Sequence, residues 1–224
     1  MAKYSEEFKY SIMMKMMPPH NQAVSVIARE TGLSEATLHQ WRRQARSKGM
    51  AVPGGEVSTI PQIEKIGYDK LDILLSMYRE KAEWLNKIGQ PMWSMEYLKK
   101  ENFIKKYNDP ECFITYINDI PIGGFILVKS DDFLWGADSH LGAYYIHKLV
   151  VKNGYTGQGN AQKIISWIEE YAGKAGKEKV RLDCYEDRKY LLQLYTSCGF
   201  NLLEVKIMPD GTRIAQYEKA LKKS

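Results

Sequence analysis

The segment 143–172 constrains the fold more than any other part of this sequence. It opens with an apolar stretch rich in β-branched and aromatic residues, Ala143–Val151, which predicts a strand. Gly157 and Gly159 follow, and apolar residues at helical spacing across Ala161–Ala172 predict an amphipathic helix. A helix of this kind packs on a sheet, so its N-terminus is held beside the glycine turn. Free N–H groups and the helix dipole favour a phosphate-bearing ligand there.

Strand and helix patterns alternate along the rest of the chain after residue 62. The remaining predicted strands are Ile63–Ile66, Glu111–Asn118, Pro121–Ser130, Lys179–Tyr185 and a final pair around Pro209–Gly211, and the remaining predicted helices are Tyr68–Lys87, Glu96–Tyr107 and Arg188–Ser197. Helices spliced between strands predict an α+β domain built on a mixed, α/β-type sheet. We expect this domain to occupy residues 63–224.

The N-terminal segment has a different character. Residues 1–50 contain eight Lys and Arg against four Asp and Glu, a net charge of +4, whereas the remaining residues are nearly neutral. Three short helices are predicted, with Ser5 and Ser34 as N-caps and Gly32 in the turn before the third. We expect a small all-α domain at 1–48, followed by a Gly- and Pro-containing linker at 49–62.

The spacing within this segment is typical of a helix-turn-helix. Counting from Val24, it has small, glycine and apolar residues where that motif requires them, including Ala28, Gly32 and Leu38. It is also similar to the helix-turn-helix subunit of insertion-sequence transposases, in Lys3–Phe8 and Leu38–Arg43. The residues expected to bind duplex DNA are Thr37, Gln40, Arg42, Arg43 and Arg46. One such unit binds DNA weakly, so a homodimer is expected; the alternative is a three-helix bundle that serves only dimerisation.

Cysteine usage and hydropathy bear on the compartment. The chain has three cysteines without CxxC spacing, which predicts neither a disulfide framework nor a metal site and favours the reducing cytoplasm. The N-terminus is charged and the longest apolar runs are strand-sized. We therefore expect neither a secretory signal nor a membrane partner.

Two ordered motifs after the central strand resemble the GNAT acetyltransferase superfamily. Thr156–Ala161 is similar to the family's pyrophosphate loop, Gln/Arg-x-x-Gly-x-Gly/Ala, and Tyr195–Phe200 to its Tyr-x-x-x-Gly-Phe element. The resemblance covers about residues 63–220 and implies the GNAT fold, in which acetyl-CoA lies where two central strands splay apart. Two positions depart from the pattern: Thr156 replaces Gln or Arg, and Arg188 stands near the family's usual Asn.

The resemblance also implies a site. The residues expected to bind acetyl-CoA are Leu149, Val150, Val151, Thr156, Gly157, Gln158, Gly159, Asn160, Ala161 and Arg188. A backbone N–H near Val150 or Val151 would polarise the acetyl carbonyl. Tyr195 would act as general acid toward the CoA sulfur, the alternative being that it only packs between helix and sheet.

The general base is open on sequence alone. His147 lies on the strand before the glycine turn, where some GNAT amine acetyltransferases carry a histidine, although a lone strand histidine is more often structural. Side-chain alternation predicts His147 and Lys148 on opposite faces. Asp183, Glu186 and water are the rival bases.

These observations favour an N-acetyltransferase that moves an acetyl group from acetyl-CoA to an amine of a small molecule or peptide and carries a DNA-binding module. One alternative is a DNA-binding transcriptional regulator whose GNAT-like domain senses acyl-CoA without catalysis. Another is an acetyltransferase whose N-terminal segment is vestigial. Polyamines, amino sugars, amino acids and protein N-termini all remain open as acceptors.

Overall fold

A computed structural model describes residues 4–16, 20, 22–47, 61–107, 109–117, 119–136, 139 and 142–221 of the 224-residue chain, with the backbone alone for residues 6 and 43–47. These residues form two compact units, an N-terminal group of helices and a larger sheet domain. Most of the predicted linker at 49–62 lies outside the described residues. Among the described helices, none has both the length and the apolar character that crossing a bilayer requires.

The N-terminal unit contains the three predicted helices: α1 (Glu6–Met16), α2 (Val24–Thr31) and α3 (Glu35–Ser47). The Ser5 and Ser34 hydroxyls accept hydrogen bonds from backbone N–H groups three residues on, at 3.1 and 3.2 Å. Gly32 ends α2 in the left-handed conformation, with φ of 69°. The apolar positions of the helix-turn-helix frame are buried: Ile27, Leu33, Leu38 and Trp41. The three helices, the two serine caps and the turn at Gly32 therefore form as predicted.

The larger unit is built on one seven-stranded sheet. Its strands are β1 (Gln62–Ile66), β2 (Glu111–Ile117), β3 (Ile120–Val128), β4 (Ala143–Val151), β5 (Lys179–Tyr185), β6 (Asn201–Ile207) and β7 (Arg213–Ala220). The spatial order is β1-β2-β3-β4-β5-β7-β6, with β4 and β5 parallel and the pairs β3–β4, β5–β7 and β6–β7 antiparallel. The predicted mixed sheet and α+β class are confirmed.

Five α-helices accompany the sheet in the described residues: α4 (Leu71–Lys87), α5 (Lys100–Lys106), α6 (Asp132–Trp135), α7 (Asn160–Lys174) and α8 (Lys189–Ser197). The helix predicted over Glu96–Tyr107 is a 3-10 turn at Glu96–Leu98 followed by α5. Helix α6 was not predicted. Asp131 caps it by accepting a hydrogen bond from the Leu134 N–H at 3.3 Å.

Helix α7 is fixed to the sheet by its apolar stripe. Ile164, Ile165, Ile168 and Ala172 are all at most 1 % exposed and pack in the core cluster that includes Leu182 of β5. Burying one such branched side chain contributes about 1.5–3 kcal/mol. The N-terminus of α7 is therefore held in a defined position at the end of β4.

Candidate active site

A cleft opens where the two central parallel strands separate. Pairing between β4 and β5 runs from Ala143 opposite Lys179 to Ile146 opposite Leu182 and stops there, although β4 continues to Val151 and β5 to Tyr185. The cleft has a volume of about 2290 Å³. Both divergent strand ends line it, together with parts of α4, α7, α8 and the β6–β7 turn. The predicted splay between the central strands is present.

A β-bulge in β4 sets which side chains enter this cleft. On β3, Gly124 and Ile126 lie two residues apart, but their partners Val150 and His147 on β4 lie three apart. The extra residue is accommodated at Lys148, which has a φ of 52°. His147 and Lys148 both line the cleft. The prediction that they lie on opposite faces is wrong, because the bulge breaks the alternation of the strand.

The glycine turn presents open space at the start of α7. Gly157 and Gly159 have φ of 74° and 75°, and an added Cβ at either would meet no atom within 4 Å. The Lys163 N–H donates to the Gly159 carbonyl at 3.1 Å as the first bond of the helix. The N–H groups of the residues before Lys163 in α7 have no acceptor within the helix. They are therefore available to a ligand in the cleft.

Polar side chains stabilise this turn from within. The Asn160 amide donates to the Tyr155 carbonyl at 2.9 Å, the Gln158 amide to the Gly154 carbonyl at 3.1 Å, and the Thr156 hydroxyl to the Asn153 carbonyl at 2.8 Å. Of the residues expected to bind acetyl-CoA, those that line the cleft are Leu149, Val150, Val151, Thr156, Gly157, Gly159, Asn160 and Ala161. Gln158 is not among the lining residues, because its side chain folds back on the turn.

Arg188 has a different position from the one expected. Its guanidinium donates to the Pro91 carbonyl at 2.8 Å and to Asp187 at 2.6 Å, and it lies 5.4 Å from the centroid of the Tyr185 ring. The side chain is buried and does not line the cleft. It anchors the loop after α4 to the end of β5. The structure therefore does not bring Arg188 together with the other residues expected to bind acetyl-CoA.

Tyr195 lines the cleft from α8. Its ring packs near Phe200 and Tyr217, with centroid distances of 6.2 and 5.9 Å, and the residue is 7 % exposed. Burial raises the pKa of its phenol, and the nearby Cys184 and Asp183 act in the same direction. The hydroxyl therefore stays protonated at neutral pH and is able to donate a proton or a hydrogen bond.

A cluster of titratable side chains lines the same cleft as Tyr195. The Nε2 atom of His147 lies 3.4 Å from the Oδ2 atom of Asp131. One ring nitrogen of His147 and one carboxylate oxygen each of Asp131 and Asp183 all lie within 4.8 Å of one another. Burial lowers the pKa of His147, against the opposing effect of Asp131. Burial raises the pKa of Asp183 to about 7, with Asp131 contributing, so Asp183 exchanges protons near neutral pH.

The structure separates the candidate bases. Asp183 and His147 lie in the cluster, whereas Glu186 is paired with Arg213 at 3.1 Å and does not line the cleft. Asp131 was not among the residues predicted for the site. Its position before the short apolar run of α6 is a helix-cap signal that could have placed a carboxylate there. The spacing of the Asp131, His147 and Asp183 side chains also suits a divalent cation.

In the N-terminal unit, the predicted DNA-binding residues have unequal exposure. Gln40 is exposed, and Thr37 is half-buried with its hydroxyl 2.8 Å from that of Ser34. Arg42 is only 7 % exposed, so little of its side chain is accessible to DNA. It lies four residues after Leu38, on the same buried face of α3. The side chains of Arg43 and Arg46 lie outside the described part of the chain.

Comparison with family models decides the classification. The model described as Acetyltransferase (GNAT) family matches residues 78–200, more than half of the chain. The chain belongs to the GNAT acetyltransferase family. A second model, described as Transposase, matches residues 1–66 and agrees with the similarity noted for the N-terminal segment. Both resemblances read from the sequence are thereby confirmed.

Individual relatives agree with the family. The chain is 25% identical over 143 residues to an uncharacterized N-acetyltransferase, YesJ, of Bacillus subtilis, covering 61% of this chain and 79% of the relative. A GNAT-family acetyltransferase from Listeria monocytogenes has a similar fold, with a TM-score of 0.58 at 17% identity, covering 74% of this chain and 98% of that one. A spermidine N-acetyltransferase from Vibrio cholerae, in complex with CoA and spermine, also has a similar fold. Its TM-score is 0.55 at 14% identity, covering 74% of this chain and 98% of that one. These two structures support the fold of the sheet domain.

Proposed function

We propose that this GNAT protein transfers the acetyl group of acetyl-CoA to an amine bound in the cleft between β4 and β5. The observation that supports this function is that three groups suited to acetyl transfer line one cleft. An open glycine turn at a helix N-terminus, a protonated Tyr195 and the half-buried Asp183 carboxylate, with a pKa of about 7, line the same cleft. The glycine turn suits the phosphates of the thioester donor, Tyr195 suits its leaving sulfur, and Asp183 suits a protonated amine.

The chain's own groups fit acetyl-CoA as follows. The free N–H groups of α7 and the open space at Gly157 and Gly159 receive the pyrophosphate. The Lys152 N–H bonds to the Ile122 carbonyl of β3 at 2.8 Å. Because successive backbone groups of a strand point to opposite sides, the Val151 N–H points away from β3 and into the gap. We assign it the polarisation of the acetyl carbonyl.

Proton transfer is assigned to the cluster and to Tyr195. Acetyl-CoA supplies an acetyl group activated as a thioester. Asp183 takes the proton of the incoming ammonium, and His147, held by Asp131, accepts a hydrogen bond from it. The amine nitrogen forms the new bond to the carbonyl carbon, and its second proton passes to His147. The carbon–sulfur bond breaks, and the Tyr195 phenol gives its proton to the departing sulfur. Exchange with solvent then returns a proton to Tyr195 and removes those held by His147 and Asp183.

A free-thiol assay tests this function. Purified protein with acetyl-CoA and a panel of amines should release CoA thiol with at least one acceptor. The panel includes spermidine, because a structural neighbour is named for it, and also amino sugars, amino acids and peptides with free N-termini. Unchanged activity in EDTA would favour the proton-transfer role of the acidic cluster over a metal-binding one. Tight acetyl-CoA binding without turnover of any amine would favour an acyl-CoA sensor instead.

We further propose that the N-terminal unit binds duplex DNA as a homodimer. The support is the helix–turn–helix geometry of α2 and α3, with left-handed Gly32 and the cap at Ser34, together with the +4 charge of this segment and its match to the transposase model. A gel-shift titration at increasing salt tests it. Absence of any salt-dependent shift at low ionic strength would leave the segment as a dimerisation or vestigial unit.

A further inference from the structure

A second set of charges lies beside the acidic cluster. The Nζ atom of Lys148, on the β4 bulge, lies 4.9 Å from the centroid of the Trp93 ring, and that of Lys106, at the end of α5, lies 5.2 Å from the centroid of Tyr97. Both lysines line the cleft. The charge of Lys106 acts on Lys148, and the charges of both lysines act on His147, in each case disfavouring a further positive charge. The cleft therefore has an anionic side and a cationic side next to each other.

Lys148 is a costly residue to place there. Its backbone has the left-handed conformation that residues other than glycine rarely adopt, and the residue is half-buried. Within the described residues, Lys148 has no carboxylate at ion-pair distance; Asp183 acts on it from farther away. A half-buried ammonium with only an aromatic face as partner is stabilised when an anion joins it.

The rim of the cleft adds an apolar element. Trp84, Tyr97 and Phe133 line it and are 40 %, 55 % and 81 % exposed. Exposed aromatic side chains around a pocket favour the apolar body of a ligand.

From this arrangement we infer that the acceptor is a zwitterion, an amine that also carries a carboxylate on an apolar body, as a hydrophobic amino acid does, with Lys148 and Lys106 binding the carboxylate while the amine faces Asp183 and His147. This inference rests on the proposed acetyl transfer. It makes Lys148 a residue that determines acceptor specificity. The acceptor's amine and carboxylate would each meet the opposite charge, which a plain polyamine cannot do at the lysines.

The test compares two acceptors that differ only in the carboxylate, phenylalanine and phenethylamine. The wild-type protein should show a kcat/KM at least about tenfold higher for phenylalanine, because a site built for a charged group discriminates strongly against an analogue lacking it. Lys148→Met should reduce this ratio about tenfold, mainly through the KM of phenylalanine. Lys148→Arg, which keeps the cation, should restore most of the ratio.

Lys177→Met is the matched control. The Lys177 Nζ lies 5.0 Å from the centroid of the Tyr144 ring, the same kind of contact, but it does not line the cleft. Its variant should keep the wild-type ratio. Equal turnover of both acceptors, or a ratio that Lys148→Met leaves unchanged, overturns the zwitterion inference while acetyl transfer stands. Transfer to no amine at all overturns the proposed function and this inference with it.

Discussion

Gly159→Val tests the phosphate-binding role of the turn, and the chain offers a close control in Gly176→Val. The two glycines lie at opposite ends of α7, with φ of 75° and 72°, and a Cβ at either would meet no atom within 4 Å. Each substitution therefore imposes similar backbone strain, and the added Cβ clashes with no atom of the protein in either case. They differ in one respect, since only Gly159 lines the cleft.

The expected magnitudes follow from this geometry. A β-branched residue in the left-handed region costs about 1–3 kcal/mol, and a protein of this size loses about 2–4 °C of Tm per kcal/mol. Both variants should therefore remain folded with similar Tm values. The valine at 159 fills the space before the free N–H groups, and losing one hydrogen bond to a charged phosphate costs about 1.5–3 kcal/mol. That corresponds to roughly 10- to 100-fold weaker acetyl-CoA binding.

Isothermal titration calorimetry of acetyl-CoA with the wild-type protein and both variants measures this difference. We expect Gly176→Val to retain wild-type affinity and Gly159→Val to lose it. Equal affinity in the two variants, at equal Tm, would refute the placement of the phosphates at the start of α7.

Three further predictions concern the chemistry and the N-terminal unit. Tyr195→Phe should lower kcat by about tenfold to a thousandfold with little change in acetyl-CoA affinity, measured by steady-state kinetics and calorimetry; equal losses in both would indicate packing alone. The pKa of Asp183 is raised from 3.8 to about 7, so the folded state holds a proton that the unfolded state releases, and stability falls as pH rises through that window. Asp183→Asn removes this loss, so its Tm relative to wild type should be higher at about pH 8 than at about pH 4, while kcat/KM falls about 100-fold or more; a pH-independent Tm difference contradicts the assignment. Arg43→Glu combined with Arg46→Glu should abolish gel shifts of all duplexes, whereas the same charge reversal at Lys87 and Lys174 should not.

Features fixed by neighbouring residues could be predicted from the sequence. The start of α7, the left-handed turn glycine Gly159 and the N-cap at Ser34 each depend on a few consecutive side chains. The family motifs at Thr156–Ala161 and Tyr195–Phe200 made it possible to predict the cleft between the central strands as well. The mixed sheet could be predicted because helices alternate with strands along the chain.

Features set by distant partners could not be predicted. Arg188 is held by the carbonyl of Pro91, 97 residues earlier in the chain, and no local pattern indicates that contact. The side of the strand that Lys148 occupies depends on how β4 pairs with β3. The burial of Arg42 differs from these cases, because the helical period alone predicts it: Arg42 lies four residues after the buried Leu38, on the same face of α3.

Product analysis tests acetyl transfer most directly. Purified protein is incubated with isotope-labelled acetyl-CoA and the amine panel, and mass spectrometry quantifies labelled N-acetylated amine together with free CoA. We expect equal amounts of the two products with at least one acceptor, and strongly reduced amounts of both in Tyr195→Phe. Free CoA without acetylated amine, or acetyl-CoA that binds and is recovered intact with every amine, would contradict N-acetyl transfer in the cleft.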